Sequence, residues 1–334
     1  MLKPIIGITI GDFNGIGPEL AIKVANEPSI KKICVPALIG PLNIFEAVSR
    51  NYKIKCNFTK LTIPVPQKSS VPVIDVGDGI EADINYGKPT KASGRSAGAA
   101  IERAVELCLL KKIDAIVTAP ASKEALHLAG YNFPGQTEMI ALLSRSKQVA
   151  MFLVTKTFKV GLVTIHTGIR NVAENITKEK LYEKIAIINK SLEKDFNIRS
   201  PEIAVLALNP HAGENGLIGN EEKQIIEPAI ESAKVSGIKV RGPFPADAFF
   251  GTQQYKKYDA VIAMYHDQGM IPFKMYAFDK GVNFSTGLEI IRTSPDHGTA
   301  YDIAGKNKAN ISSMLEAVKL AVQIVHNRKE NDRT

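Results

Sequence analysis

Three of the six histidines stand at or just beyond the ends of apolar runs. VGLVTIH ends on His166, AVLALNPH ends on His211 and AVIAMYHD reaches His266. In open parallel sheets, ligands collect beyond the carboxyl ends of the strands. Neutral imidazole is the commonest metal ligand in proteins, and three of them leave a coordination position open for a substrate. The donor set points to a divalent metal: zinc first, with cobalt or magnesium as alternatives, magnesium being set back by its preference for oxygen. One histidine at a strand end is ordinarily just hydrogen-bonded. Three at the same topological position predict a metal centre. Asp267, beside His266, is placed to orient a ligating imidazole. His127 falls in a helical pattern, His326 near the C-terminus reads as a surface residue, and His297 belongs to a separate motif.

That motif is DHGTAYDIAGKNKAN, Asp296 to Asn310. Most of it falls within Ile271–Gly305, a stretch dense in Gly, Pro, Ser and Thr that reads as irregular and functional. Lys274, Asn283 and Arg292 lie in this stretch, and two positive charges with an amide suit a phosphate and a carboxylate. No G-x-G-x-x-G follows a strand, which argues against a standard Rossmann site. The candidates for accepting a hydroxyl proton are Lys123 in TAPASKE and Asp247 in PFPADAFF.

The elements that must position these residues alternate. Apolar runs rich in Val and Ile predict strands at Ile5–Ile10, Val35–Ile39, Ile113–Thr118, Val149–Val154, Val160–Ile165, Ile203–Leu208 and Ala260–Tyr265. Between several of them, apolar residues at helical spacing predict helices at Ser96–Leu110, Lys178–Glu193 and Glu221–Ser236, with a final amphipathic helix near Ser312–His326. The alternation implies βαβ units and a parallel sheet. At 334 residues the chain suits two domains, and Trp is absent, so the core rests on aliphatic side chains. The net charge of +8 is scattered, without an arginine-rich arm or basic–aromatic alternation; this excludes nucleic acid as a partner and favours small anionic substrates. Three widely spaced cysteines, the absence of a signal-peptide pattern and the absence of a long apolar run predict a cytoplasmic protein with no membrane segment.

The run His297-Gly-Thr-Ala-x-Asp302-Ile-Ala-Gly-Lys306 resembles the adenosine-binding loop of the isocitrate and isopropylmalate dehydrogenases. The resemblance implies a cofactor site at His297, Gly298, Thr299 and Asp302, with the Asp302 carboxylate on the ribose hydroxyls and therefore NAD rather than NADP. From end to end, the segments GITIGD, GIGPEL, TAPASKEALHLAGYNFPGQTE, LNPHAGENGLIGNEE, GPFPADAFF, YDAVIAMYHDQGMIPFK and TSPDHGTAYDIAGK resemble the 4-hydroxythreonine-4-phosphate dehydrogenases. That family implies a fold of two α/β/α domains with an active-site cleft between them, like the isocitrate and isopropylmalate enzymes. A discontinuous nucleotide-binding domain (1–130 plus 280–334) and a metal, substrate and dimerisation domain (131–279) are expected. The family further implies a homodimer with the active site near the subunit interface, metal on His166, His211 and His266, and substrate on Gln136, Thr137, Lys274, Asn283 and Arg292. The expected reaction is NAD-dependent, metal-assisted oxidation of 4-phosphooxy-L-threonine at carbon 3, then decarboxylation to 3-amino-2-oxopropyl phosphate in pyridoxal phosphate biosynthesis. The alternatives are a dehydrogenase of the same fold acting on phosphorylated threonate, erythronate or a cis-dihydrodiol, and a metal-dependent hydrolase. Two departures stand out. Gln136 occupies the place of the family's usual histidine, and Phe13-Asn14 replaces Pro-Ala in the N-terminal glycine turn.

Overall fold

A computed structural model describes residues 3–67, 69–80 and 83–332. Its strands, in chain order, are β1 (Ile5–Thr9), β2 (Val35–Ile39), β3 (Phe58–Leu61), β4 (Val71–Ile74), β5 (Ala115–Thr118), β6 (Ala150–Val154), β7 (Lys159–Leu162), β8 (Glu202–Leu206), β9 (Lys239–Phe244), β10 (Ala260–Ala263), β11 (Val282–Thr286) and β12 (Arg292–Pro295). The chain divides into two compact units, Met1–Lys147 with Leu288–His326 and Gln148–Gly287 with Asn327–Thr334. Each unit is therefore built from two separate chain segments.

In the first unit the strand order is β3-β4-β2-β1-β5-β12 and every pairing is parallel. Ile6 and Ile8 of β1, Ala37–Ile39 of β2 and Ala115–Val117 of β5 are fully enclosed, as expected of strands covered on both faces. The helix Lys91–Leu109 is nucleated by a capping box: Ser93 N donates to Thr90 Oγ1 and Thr90 N to Ser93 Oγ, at 3.1 and 3.2 Å. The turn after β1 needs glycine at position 11. Its φ is +69°, and a Cβ there would stand 2.3 Å from Pro120 O.

In the second unit the order is β11-β6-β7-β10-β8-β9. The expected parallel arrangement holds for β7, β10, β8 and β9, but β6 runs antiparallel to both β7 and β11. The reason is the short Thr155–Phe158 turn joining β6 to β7: a direct reversal makes antiparallel neighbours, whereas a parallel pair needs a crossover. The core gathers Leu153, Val160, Leu162, Leu206, Phe249 and Phe273.

The stretch Ile271–Gly305 is not irregular as expected. It holds the rest of a helix, His266–Ala277, and the strands β11 and β12. Gly269 and Pro272 sit inside that helix and mask it in the sequence. Gly269 is there for close packing, since a Cβ would lie 2.8 Å from side-chain carbons of both Leu162 and Val160 on β7. No helix among the described residues is long and apolar enough to cross a membrane.

Candidate active site

In the first unit the chemistry centres on Arg292. It is the first residue of β12, paired with Ile116 on β5, and is 3% exposed. Its Nε and Nη2 donate to Thr118 Oγ1 at 3.0 and 2.8 Å, and Nη1 donates to Thr137 Oγ1 at 3.3 Å. Desolvation pulls the guanidinium down to about 10, with the Glu138 carboxylate pulling the other way, so it stays charged at neutral pH. Thr137 lies in the first turn of the helix Gln136–Leu143. A buried cation at a helix N-terminus among hydroxyl groups is suited to an anion. Gln136 opens that helix; its Nε2 donates to Ala119 O at 3.4 Å, and its Oε1 is enclosed without a partner. Lys123, on the surface at the start of the helix Lys123–Leu128, has its Cε 3.7 Å from where a Gly135 Cβ would stand.

The motif around His297 docks on the glycine turn after β1. Ile16 N donates to Thr299 O at 3.0 Å, and a Cβ on Gly15 would come within 2.7 Å of the same carbonyl. Tyr301 Oη donates to Asp12 Oδ2 at 2.7 Å while Asn14 N donates to Asp12 Oδ1 at 2.8 Å. Burial raises the Asp12 carboxyl above its ordinary range, and these two hydrogen bonds only partly offset it. Burial and the nearby Asp12 likewise raise the Tyr301 phenol. Asp302, His297 and Gly298 are exposed. None of Asp12, Asn14, Thr118 or Tyr301 was singled out by the sequence as holding the site. Asp12 and Asn14 lie in the glycine turn and Tyr301 in the loop motif, but nothing in the order of residues pairs them.

In the second unit, His266 opens the helix His266–Ala277 directly after β10, and its Nδ1 lies 2.6 Å from Asp267 Oδ1. With a proton on Nδ1 this contact leaves Nε2 as a lone-pair donor. His166 follows β7, and the two rings lie 6.4 Å apart, centroid to centroid. His211 sits in an unusual segment: residues His211 to Asn215 all have positive φ, four of them not glycine, making a left-handed turn. Such a turn is strained and must be held from outside. Glu222, 2% exposed, does this. Its Oε1 accepts from Leu208 N and Asn209 N at 2.9 and 2.8 Å, and its Oε2 accepts from Asn209 Nδ2 at 2.9 Å. Gln268 joins the ends of β10 and β8, accepting from Met264 N at 2.7 Å and donating to Ala207 O at 2.6 Å. Among the described residues, no three His, Cys, Asp or Glu side chains gather as a metal-holding group. Two of the expected imidazoles are therefore brought near each other, with donor chemistry that fits a divalent ion, and the third is held on its own buttressed turn.

Lys274 is on the helix His266–Ala277, its Nζ 5.9 Å over the Phe278 ring. Asn283 is on β11 with Oδ1 enclosed and unpartnered. Asp247 is exposed in the first turn of the helix Ala246–Gly251.

The sequence model of the family described as pyridoxal phosphate biosynthetic protein PdxA matches residues 32–321. The chain is 42% identical over 336 residues to the 4-hydroxythreonine-4-phosphate dehydrogenase of Trichlorobacter lovleyi, covering 98% of this chain and 99% of that one. It is 41% identical over 329 residues to the D-threonate 4-phosphate dehydrogenase of Cupriavidus necator, covering 97% and 98%. The crystal structure of 4-hydroxythreonine-4-phosphate dehydrogenase from Klebsiella pneumoniae matches with a TM-score of 0.87 at 36% identity, covering 97% of this chain and 98% of that one.

Proposed function

The chain belongs to the family of pyridoxal phosphate biosynthetic protein PdxA, and on that premise we propose that it is an NAD-dependent dehydrogenase of 4-phosphooxy-L-threonine. The hydroxyl at carbon 3 is oxidised, hydride passing to NAD and the hydroxyl proton to a base. The resulting β-keto acid loses carbon dioxide to give 3-amino-2-oxopropyl phosphate. The observation that carries this reading is Arg292, a buried guanidinium held by Thr118 and Thr137 at a helix N-terminus. Its fork suits an anionic group of the substrate, and Lys274, in the other unit, is a second cation of the expected substrate set. His297, Gly298, Thr299 and Asp302 form the nucleotide loop, with Tyr301 anchoring it to Asp12. His166, His211 and His266 are the residues that would hold a divalent metal, with Asp267 on Nδ1 of His266 leaving its Nε2 as the ligating nitrogen. A divalent ion there supplies Lewis-acid stabilisation of negative charge on the carbon 3 oxygen, in both the oxidation and the decarboxylation. Lys123 and Asp247 are the candidates for the proton acceptor.

The working form in this reading is a homodimer in the cytoplasm. The exposed apolar side chains Ile271, Met275 and Phe278, at 58, 84 and 75% exposure, support a partner surface along the helix His266–Ala277 and just beyond it. A second substrate, D-threonate 4-phosphate, is supported by the Cupriavidus relative, which is as similar to the chain as the hydroxythreonine enzymes are, and by the amide at Gln136. NADH formation with 4-phosphooxy-L-threonine, phosphothreonate and phosphoerythronate, with and without a chelator, tests both readings. Turnover of the first supports the proposal; turnover only of another moves the substrate; no NADH from any of them overturns the dehydrogenase.

A further inference from the structure

Glu19, in the first turn of the helix Gly17–Asn26, is 1% exposed. A helix N-terminus favours an acid, but an exposed one serves it as well. Burying a carboxylate is costly unless other groups offset it. Lys23, one turn further on, is the first: its Nζ donates to Glu19 Oε1 at 2.6 Å. The same oxygen accepts from Ala309 N at 3.0 Å, a bond between residues 290 positions apart. Oε2 is enclosed without a hydrogen bond, so the carboxylate holds both donors through one oxygen.

Ala309 lies at the far end of the motif that begins at His297. In that half of the motif Ala304 and Ala309 are buried, while Asp302, Lys306, Asn307, Lys308 and Asn310 are exposed. Beneath it stand two aromatic rings. At Gly305, where φ is +81°, a Cβ would lie 2.8 Å from Tyr86 Cδ2. Tyr52, just past the helix Leu42–Asn51, stacks on Tyr86 with centroids 6.4 Å apart. Burial pushes the Tyr52 phenol up, and the neighbouring Tyr86 and Glu19 add to the effect. Two buried carboxylates thus fasten the motif, Asp12 on Tyr301 Oη and Glu19 on Ala309 N. Asp302 lies between the two fastenings. Short turns fill the gap: Ile303 N donates to Ala300 O and Lys306 N to Ile303 O, at 3.1 and 3.2 Å.

We propose that Glu19 is a positioning residue for the dinucleotide cofactor: by holding Ala309 N it fixes the far end of the loop, so that the exposed Asp302 is in register before the cofactor binds. The inference rests on the reading of His297–Asp302 as the nucleotide loop. An exposed loop that must be ordered on binding loses affinity to that ordering, and a loop already fastened does not. A carboxylate suits the task, because a hydrogen bond to an ionised acceptor is stronger than one to a neutral carbonyl. Glu19 does not touch the cofactor in this scheme; it acts through the backbone of the loop.

The test is calorimetric binding of NAD and of inorganic phosphate to the full-length protein and to Glu19→Ala and Glu19→Gln. Glu19→Ala should bind NAD about 10-fold more weakly, the scale of one lost hydrogen bond to a charged group, with phosphate affinity unchanged. Glu19→Gln keeps an acceptor for Ala309 N and should stay within about threefold of the unmodified protein for both ligands. One measurement needs no variant: in the unmodified protein without NAD, the Ala309 amide should exchange at least about 100-fold more slowly than an open amide. The inference is overturned if that amide exchanges freely, if Glu19→Ala keeps its NAD affinity, if phosphate binding falls in parallel, or if Glu19→Gln is as weak as Glu19→Ala. The underlying reading fails separately: a protected Ala309 amide in a protein that binds no NAD removes the nucleotide loop, and the positioning role with it, while the Glu19–Ala309 bond stands.

Discussion

Tyr301 Oη lies 2.7 Å from Asp12 Oδ2, joining side chains 289 positions apart. The bond fastens the loop expected to carry the nucleotide to the glycine turn that follows β1. Ile16 N to Thr299 O reinforces it from the backbone. Asn14 extends the same arrangement: its Nδ2 donates to Lys88 O and Thr90 Oγ1, and its Oδ1 accepts from Asn85 N. Segment 85–90 thereby lies behind the loop, with the Tyr86 ring where a side chain on Gly305 would stand. Asn14, a departure from the family's alanine, is thus a fully buried bridge with its hydrogen-bonding capacity used.

Asp12 should make stability depend on pH in an unusual direction. Burial raises its folded-state pKa above the ordinary carboxylate value. Between those two values the folded chain binds a proton that the unfolded chain has released. Its contribution is therefore fully present below the ordinary value and lost as pH rises through the raised one. Asp12→Asn removes this titration. Urea denaturation from pH 3.5 to 7 should show the unmodified protein losing stability relative to Asp12→Asn on going up; a constant difference would contradict the assignment.

Replacing Asn14 by alanine leaves Asn85 N and Lys88 O without their partner. The expected loss is about 1–3 kcal/mol of stability. Hydrogen exchange should quicken in residues 83–90, and NAD should bind more weakly while phosphate binding holds. Equal weakening of both ligands would mean a general destabilisation instead.

Arg292→Met should separate stability from function. Removing a desolvated charge whose partners are hydroxyls is close to neutral for folding, and the denaturation midpoint should hold or rise. Substrate affinity should fall by a factor of about 30 or more, the scale of losing a buried charged hydrogen-bond partner. Arg292→Lys should recover little, because a point charge cannot reproduce the fork. Paired denaturation and binding measurements check this.

Glu222→Ala should release the left-handed turn that carries His211. Two backbone N–H groups lose their acceptor together and the Asn209 amide, which keeps Glu221, loses one of two, so the cost is about 3 kcal/mol. Zinc content after dialysis should drop, as it should for His211→Ala, although Glu222 is not expected to bind metal itself. Retained zinc with faster exchange at residues 208–216 would place the role of Glu222 in folding alone.

The sequence legibly marks those elements whose local pattern and tertiary environment agree. β2 runs over the expected Val35–Ile39, and the helix expected at Lys178–Glu193 spans Lys178–Lys194, because an apolar run or an amphipathic stripe is itself the cause of burial. The candidate histidines were legible for a related reason: they follow such runs. β11 and β12 were not. Arg-Thr-Ser-Pro reads as loop, yet all four residues of β12 are buried. Thr118 and Thr137 receive the Arg292 donors, and Thr293 Oγ1 donates to Ala317 O at 2.8 Å.

Residue type and spacing therefore determined, without any structure, the α/β class, seven of the twelve strands, four of the eleven helices among the described residues, and a short roster of residues able to do chemistry. Only the tertiary structure decided which of them are supported and by what: Arg292 by Thr118, His266 by Asp267, the segment leading to His211 by Glu222, the loop around His297 by Asp12 and Asn14. The reason is physical. Apolar burial follows from local periodicity, whereas the partner that makes a buried polar group affordable lies anywhere along the chain and is found only when the fold closes.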